Sequence, residues 1–253
     1  MIYTYGDSFT YGTGVRDNTT LNGKLFKSYL GTSKYSDLTW VMELKRLTGS
    51  KILNKGIGGV SNEFIIYRLL KDLPEFTKDD IVIVGGTKSM RIMTPAGEGD
   101  FSNSTLLPIN HDVAKWKWKS HSKDTYIYDG WEVSKEQIKA LIPYYYELFP
   151  KYEKLYETIY DEQYSGISTY LNKTGITCIY WDSSAWLEFE QIIKWTNRRN
   201  IDGHWSPNGH LYFARILKFC LDHNVRRLNK SRLLELKQYV PPDFRYIEYT
   251  SLM

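Results

Sequence analysis

The stretch that decides the fold runs Ile2-Tyr3-Thr4-Tyr5-Gly6-Asp7-Ser8-Phe9-Thr10-Tyr11-Gly12. It begins with a short apolar run, which is typical of a buried strand when glycine bounds it. Gly6 has no Cβ and so permits a sharp turn after this strand. The turn presents Ser8 at the start of the next segment, where free backbone N–H groups stabilise negative charge. The pattern suits a nucleophilic serine, although Asp and Ser are also common in plain turns and helix caps.

Short apolar runs alternate with helical patterns along the rest of the chain. The predicted strands are Ile2–Tyr5, Lys51–Asn54, Ile81–Val84 and Ile176–Trp181. The predicted helices, in which apolar residues recur at three- and four-residue steps, are Ser36–Leu47, Asn62–Leu70, Pro150–Leu171 and Pro207–Leu221. In the third helix, Leu155 and Ile159 belong to the predicted apolar face. This alternation predicts an α/β fold in which a doubly wound parallel sheet lies between two helix layers.

A second chemical motif lies near the other end of the chain, where Asp202 and His204 precede a predicted helix. A serine hydroxyl needs a base within hydrogen-bond reach, and an imidazole with an ordinary pKa of ~6.5 can serve. In an extended segment, side chains two residues apart point to the same side, so the Asp202 carboxylate can orient the His204 ring. The alternative is that Asp202 belongs to a turn and His204 to the surface.

Two glycine-bearing segments between these motifs each follow a predicted strand. Asn54-Lys55-Gly56-Ile57-Gly58-Gly59 follows the second strand, and Gly85-Gly86-Thr87 follows the third. Because ligands of such sheets bind beyond the carboxyl ends of the strands, we expect Ser8, Gly59 and Thr87 to meet in one cleft. A phosphate-binding loop is the weaker alternative, since the Lys-Ser/Thr pair of a P-loop is missing.

Over most of the chain, these segments together resemble the SGNH hydrolases, also called the GDSL esterase/lipase family. The matching residues are Gly6, Asp7, Ser8, Asn54, Gly56, Gly59, Gly85, Gly86, His204, Gly209 and His210. The resemblance implies a three-layer α/β/α sheet of the flavodoxin-like SGNH type and a carboxylic ester hydrolase that works through an acyl-enzyme. It implies a catalytic triad of Ser8 as nucleophile, His204 as base and Asp202 as orienting acid. It also implies an oxyanion hole formed by the amides of Ser8 and Gly59, with Thr87 as a third donor.

Two features depart from the family pattern. Thr87 stands where the family usually has Asn, and Asp202 lies two residues before His204 instead of three. This spacing, followed by Trp205, resembles a variant in SGNH-like acetyl-handling proteins of polysaccharide modification. The resemblance therefore implies a small acyl group, and hence a deacetylase for which a polysaccharide is one candidate substrate. An equally weighted alternative is that Thr87 merely ends its strand.

An aromatic-rich segment at about 93–133 has no sustained period and is a predicted insertion over the cleft. Within it, Trp116 and Trp118 alternate with lysines, so in an extended segment the two indoles share one face. Such a face can stack on sugar rings, and the alternative is that the tryptophans pack the insertion down. The candidate substrate-binding residues are Asn62, Arg91, Trp116, Trp118 and Trp205.

The composition sets the limits of this interpretation. A chain of 253 residues can bury the core of one α/β domain, predicted at residues 1–225, with a C-terminal extension at 226–253. The two cysteines, Cys178 and Cys220, lie in apolar patterns and are predicted to be free core residues. No Cys/His cluster has metal-ligand spacing, and we expect neither a metal nor another cofactor. A net charge of +4 does not demand a nucleic-acid partner.

The start of the chain in a predicted strand leaves no room for a signal peptide, and no stretch is long enough to span a membrane. The expected location is the cytoplasm or a virion, which fits small SGNH-like proteins encoded by phages. The expected partners are an acylated small molecule or carbohydrate and, through the C-terminal tail, a virion protein or a second copy of the chain. Two other functions stay open, namely an O-acyltransferase and a noncatalytic structural or carbohydrate-binding protein.

Overall fold

The computed structural model describes the backbone of residues 1–12, 20–21, 24–25, 39–57, 60–87, 92–96, 105–109, 125–128, 131–134, 149–182, 185, 205 and 207–240. Side chains are described in the same ranges except 20–25, 92–134, 149–153 and 207–208. The strands are β1 (Ile2–Tyr5), β2 (Thr20–Leu21), β3 (Lys24–Leu25), β4 (Ile52–Asn54), β5 (Ile81–Gly85), β6 (Ile92–Ala96), β7 (Thr105–Ile109), β8 (Thr125–Tyr128), β9 (Trp131–Ser134), β10 (Thr177–Trp181) and β11 (Arg227–Leu228). The helices are α1 (Ser8–Tyr11), α2 (Trp40–Thr48), α3 (Asn62–Asp72), α4 (Phe149–Lys173), α5 (Pro207–Asp222) and α6 (Lys230–Tyr239), with a 3-10 turn at Leu73–Glu75.

The main sheet has five parallel strands in the order β11-β10-β5-β1-β4. The first strand, β1, lies in the interior of the sheet, with Ile2 opposite Ile52 on one side and Ile81 on the other. Numbered along the chain, the order is the 2-1-3-4-5 arrangement of flavodoxin-like sheets. The predicted α/β fold with a doubly wound parallel sheet is therefore confirmed, and each of the predicted strands takes part in this sheet.

Alternating side chains of the strands supply two separate apolar cores, one on each face of the sheet. Ile2, Ile83 and Ile179 point to the face that is covered by α2, α5 and α6. Val82 and Cys178 point to the opposite face, which is covered by α3 and α4. Because successive side chains of a strand point to opposite faces, one apolar run can serve both cores. The predicted three-layer arrangement is confirmed.

The helices occur where the sequence predicts them, with two differences. Helix α2 begins at Trp40 instead of Ser36, because the extended Thr39 is its N-cap and Thr39 Oγ1 accepts a hydrogen bond of 3.3 Å from the Met42 amide. The predicted apolar face of α4 is wrong in its first half. Leu155 and Ile159 are 55% and 40% exposed. The face toward the sheet is instead the series that includes Tyr160, Tyr164 and Leu171.

The C-terminal region contributes to the same core as the rest of the chain. Strand β11 adds an edge to the main sheet beside β10, and α6 buries Leu233 and Leu236 in the same core as α5. Leu228, Leu233, Leu236 and Val240, all within the predicted extension at 226–253, thus share one apolar core with α2 and α5. Strand β11 has only two residues, which are too few for a sequence pattern to predict it.

The aromatic-rich insertion contains two antiparallel hairpins, β6–β7 and β8–β9, which are separate from the main sheet. The first strand of the first hairpin contacts α3. Both cysteines are free and buried, as predicted, and burial raises the pKa of each thiol to about 12. Among the helices that the structure describes, none is both long and apolar enough to cross a membrane.

Candidate active site

The carboxyl ends of β1 and β5 form the point where the strand order of the sheet reverses. From β1 the chain first adds β4 on one side, and it then returns to place β5 on the other side. Ligands of doubly wound sheets bind at such a switch point, because the two crossover connections diverge there and leave a crevice. Ser8 follows β1 and Thr87 follows β5, so both residues lie at the edge where a ligand is expected.

The turn that carries Ser8 is fixed by Asp7. Asp7 is extended and caps α1, with its Oδ1 accepting a hydrogen bond of 3.0 Å from the Phe9 amide. Ser8 is the first residue of α1, and this short helix ends at Gly12, whose φ of 89° lies in the left-handed region. Ser8 is 4% exposed. The nucleophile candidate is therefore held in a defined turn.

Thr87 is joined to the same turn by a buried hydrogen bond. Its Oγ1 donates to Asp7 Oδ2 at 2.8 Å, and both side chains are buried. A threonine hydroxyl has one proton, so in this arrangement that proton is directed to Asp7. Thr87 can thus serve directly as an oxyanion donor only if this bond is released. Strand termination is not its whole role, since it connects β5 to the turn that carries Ser8.

Asn62, a candidate substrate-binding residue, lies buried at the start of α3 and binds the backbone of Thr87. Asn62 Oδ1 accepts a hydrogen bond of 2.8 Å from the Thr87 amide, and its Nδ2 donates to the Thr87 carbonyl at 2.9 Å. The Tyr164 hydroxyl also donates to Asn62 Oδ1, at 2.9 Å. Burial, with the nearby carboxylate of Glu63, raises the pKa of Tyr164 well above its usual value, so the phenol stays a neutral donor.

Asn54 holds the turn after β4 against α1. Its Nδ2 donates to the Thr10 carbonyl at 2.9 Å, and its Oδ1 accepts from the Gly56 amide at 2.9 Å. A Cβ on Gly56 would lie 2.7 Å from the Tyr11 amide nitrogen, which is closer than real Cβ atoms approach. Only glycine therefore allows this turn to lie so near α1.

Trp205 packs against the residue that follows Ser8. Its ring centroid lies 4.9 Å from that of Phe9 and 4.9 Å from that of Phe213, and the side chain is buried. These contacts of a candidate substrate-binding residue are core contacts. His210, which is among the residues that match the family pattern, is also buried, and its Nδ1 accepts a hydrogen bond of 3.3 Å from the Trp40 amide at the start of α2.

Several of the candidate site residues fall outside the residues that the structure describes. They are Gly59, Arg91, Trp116, Trp118, Asp202 and His204. Of the predicted triad, the structure thus describes Ser8 alone. It brings together Ser8, Thr87 and Asn62 at one edge of the sheet. Among the described residues, no cluster of His, Cys, Asp or Glu is arranged to hold a metal ion.

Sequence reasoning gives no separate role to three residues that shape this edge. Asp7 could have been identified as a cap from its place before a helix start, but its bond to Thr87 joins residues 80 positions apart. Tyr164 has no motif around it. Asp182, buried directly after β10, binds Arg227 with a closest distance of 2.7 Å and so faces the β11 edge. Each of these contacts depends on tertiary packing that no local pattern encodes.

No family model matches this chain, and no curated protein matches it. Among solved structures, the chain is similar to a protein from Desulfitobacterium hafniense DCB-2 that is provisionally described as a lipolytic protein of the G-D-S-L family. The two are 14% identical, the likeness covers 85% of this chain and 95% of that chain, and the TM-score is 0.31. Such values are too low to transfer fold or function, so the fold assignment rests on the strand order and register of this chain itself.

Proposed function

We propose that this protein is a serine esterase in which Ser8 forms an acyl-enzyme. The observation that carries the proposal is the position of Ser8 just after the interior strand β1, at the switch point of the sheet. Asp7 and Thr87 hold that turn from both strands that meet there. A nucleophile has to be held in one geometry relative to the bound carbonyl, and a buried, capped turn at a ligand crevice meets this need.

His204 is the proposed base and Asp202 its orienting acid. Support comes from the residue after His204, because Trp205 packs on Phe9, the residue after Ser8. In the proposed reaction, Ser8 Oγ attacks the acyl carbonyl carbon while His204 takes the hydroxyl proton. The carbon–oxygen bond to the alcohol breaks, and His204 returns the proton to the leaving oxygen. Water then attacks the acyl group with His204 again as base, which releases the acid and restores Ser8.

The proposed oxyanion hole consists of the Ser8 and Gly59 amides, with Thr87 near them. The proposed substrate is a small acyl ester such as an acetate, which suits a serine that is only 4% exposed. A carbohydrate is the proposed acyl carrier, with Arg91, Trp116 and Trp118 as the candidate contacts. The resemblance to acetyl-handling proteins of polysaccharide modification supports this part of the proposal.

A noncatalytic protein of the same fold is the second candidate, and one observation favours it. The proton of Thr87 Oγ1 is directed to Asp7, so the position where the family usually has an amide donor is engaged within the protein. A fold that kept this edge for binding alone would need no free donor there. The two candidates differ in whether Ser8 reacts with an acylating agent.

Covalent labelling of Ser8 separates these functions. The wild-type protein is incubated with a fluorophosphonate, and the modified peptide is identified by mass spectrometry. We expect labelling at Ser8, loss of labelling in Ser8→Ala, and hydrolysis of p-nitrophenyl acetate by the wild type alone. Unlabelled Ser8 in a folded protein, together with equal acetate hydrolysis by wild type and Ser8→Ala, would establish the noncatalytic alternative. Product analysis with and without a sugar acceptor distinguishes a hydrolase from an O-acyltransferase.

A further inference from the structure

A chain of buried hydrogen bonds extends from the middle of α4 to the turn that carries Ser8. It begins at the Tyr164 hydroxyl and passes through the side chain of Asn62 to the backbone of Thr87. It continues from Thr87 Oγ1 to Asp7, whose other oxygen accepts from the Phe9 amide. These links measure between 2.8 and 3.0 Å, and every side chain that makes them is buried. Buried hydrogen bonds of this length fix the relative positions of the groups that they join.

The ring of Tyr164 packs closely against Gly86, the residue before Thr87. A Cβ on Gly86 would lie 3.2 Å from Tyr164 Cε2 and 3.5 Å from Asn62 Oδ1, so the phenol ring lies directly against this part of the backbone. On the opposite side, the Trp181 indole donates to the Gly86 carbonyl at 3.0 Å. The backbone after β5 is thus contacted from both faces of the sheet. Tyr164 packs against it on one face, and Trp181 binds it on the other.

We propose that Tyr164 is a positioning residue for Ser8, acting through Asn62, Thr87 and Asp7 without touching the substrate. Because Asn62 Oδ1 accepts from both Tyr164 and the Thr87 amide, the phenol fixes the angle at which Asn62 meets the backbone. Loss of the hydroxyl leaves Asn62 free to tilt in its site, and Thr87 moves with it. Because Thr87 is bonded to Asp7, a displacement of Thr87 also displaces the N-cap of α1.

The chain offers a matched control in Tyr160, one turn earlier on α4. Its hydroxyl donates to Glu63 of α3, so it also joins α4 to α3. Glu63 is exposed, and its bond to Tyr160 is not one of the hydrogen bonds that join Tyr164 to Asp7. Tyr160→Phe and Tyr164→Phe each delete one phenol oxygen from the same helix and conserve the ring. If the two variants differ in hydrogen exchange or kcat, the difference is caused by the hydrogen bonds between Tyr164 and Asp7. The loss of a bond between α3 and α4 is common to both variants.

The first readout is independent of catalysis. Amide hydrogen exchange is measured by NMR at Thr87 and Phe9, whose N–H groups donate within the path. We expect exchange at Thr87 to be roughly five- to tenfold faster in Tyr164→Phe, which corresponds to the loss of one neutral hydrogen bond, and unchanged in Tyr160→Phe. Equal exchange at Thr87 in wild type and Tyr164→Phe overturns the proposal, whatever the activity of the protein.

The second readout uses acetate hydrolysis and rests on the proposed esterase function. We expect Tyr164→Phe to lower kcat by roughly five- to tenfold with KM nearly unchanged, since Ser8 is misplaced while substrate binding stays intact. Tyr164→Phe and Thr87→Val should be non-additive, because both act on one path. Wild-type kcat in Tyr164→Phe overturns the proposal. If the wild-type protein hydrolyses no ester, the esterase function fails and the exchange data alone decide whether Tyr164 positions the turn.

Discussion

The indole of Trp205 meets the ring of Phe9 edge to face, at a centroid distance of 4.9 Å and an interplanar angle of 62°. Each ring belongs to the residue that directly follows a proposed catalytic residue, His204 in one case and Ser8 in the other. Aromatic pairs of this geometry are stabilised beyond their buried area. This pair therefore joins the two ends of the chain that the proposed reaction needs.

A double-mutant cycle tests this link. Trp205→Ala should destabilise the protein by about 3–5 kcal/mol, because it empties a buried site of a large ring. The coupling with Phe9→Ala should be about 0.5–1.5 kcal/mol in urea unfolding. Both single variants should lose hydrolysis of a small acetate and of an acetylated oligosaccharide in proportion. If Trp205→Ala instead lost only the hydrolysis of the oligosaccharide, with an unchanged free energy of unfolding, Trp205 would be a sugar contact.

Position 87 is predicted to require a hydroxyl. Thr87→Val keeps the shape of the side chain but removes the donor to Asp7, which should cost about 1–3 kcal/mol of unfolding free energy and lower kcat. Thr87→Ser retains the hydroxyl and should stay close to the wild type in kcat. Chemical denaturation and steady-state kinetics of the three proteins give the comparison. Equal stability of Thr87→Val and Thr87→Ser would mean that the bond to Asp7 contributes nothing.

Gly56 is predicted to tolerate no side chain. Gly56→Ala would place a Cβ 2.7 Å from the Tyr11 amide nitrogen, so α1 must move, at a cost of about 1–3 kcal/mol. Gly166→Ala is the control, because a Cβ there meets nothing within 4 Å. Inside helix α4, that substitution should stabilise the protein by roughly 0.5–1 kcal/mol. Thermal unfolding of both variants measures the contrast, and a stabilising Gly56→Ala would show that the turn after β4 does not press on α1.

Stability should fall at alkaline pH through Tyr5. Its hydroxyl donates to Asp72 at 2.7 Å, and burial together with this carboxylate raises the pKa of Tyr5 far above its ordinary value. The unfolded phenol ionises first as the pH rises above about 10, so deprotonation favours unfolding. The contribution of the Tyr5 hydroxyl to the free energy of unfolding is therefore complete below about pH 10, and it is lost as the pH rises above that value.

Tyr5→Phe tests this pH dependence. Urea midpoints measured between about pH 8 and pH 11 should decline less steeply in Tyr5→Phe than in the wild type, since the variant has no phenol to ionise. The same substitution at Tyr170, which is exposed, should leave the wild-type slope unchanged. An identical decline in Tyr5→Phe and wild type would place the alkaline sensitivity elsewhere in the molecule.

The sequence predicts the sheet well because each buried strand is a compact apolar run that a glycine or polar residue ends. Ile81–Val84 shows this, since the observed β5 extends it by only Gly85. The prediction of the apolar face of α4 is wrong because aromatic and aliphatic residues occur on more than one side of this helix. Periodicity alone does not show which side packs against the sheet. Tyr160 and Tyr164 are buried while Leu155 is not.

The edge that carries the candidate site is predicted in part. Glycine and serine at strand ends place Ser8 and Thr87 at the same edge without any tertiary information. From the sequence, the hydroxyl of Thr87 is predicted to replace an amide as an oxyanion donor. In the fold, this hydroxyl donates its hydrogen bond to Asp7 instead. Motif positions can be recognised from local patterns, but the direction of a hydrogen bond depends on which neighbour arrives from elsewhere in the chain.

The place of β1 between β4 and β5 determines when the protein can complete its folding. The strand that leads into Ser8 is synthesised before both of its partners, whose paired residues begin at Ile52 on one side and Ile81 on the other. Closing the shorter loop costs less conformational entropy, so we expect β4 to dock before β5. Until β5 follows, one edge of β1 stays open and could recruit a strand from another chain. During synthesis, the segment that leads into Ser8 is thus exposed to misassembly until β5 has docked.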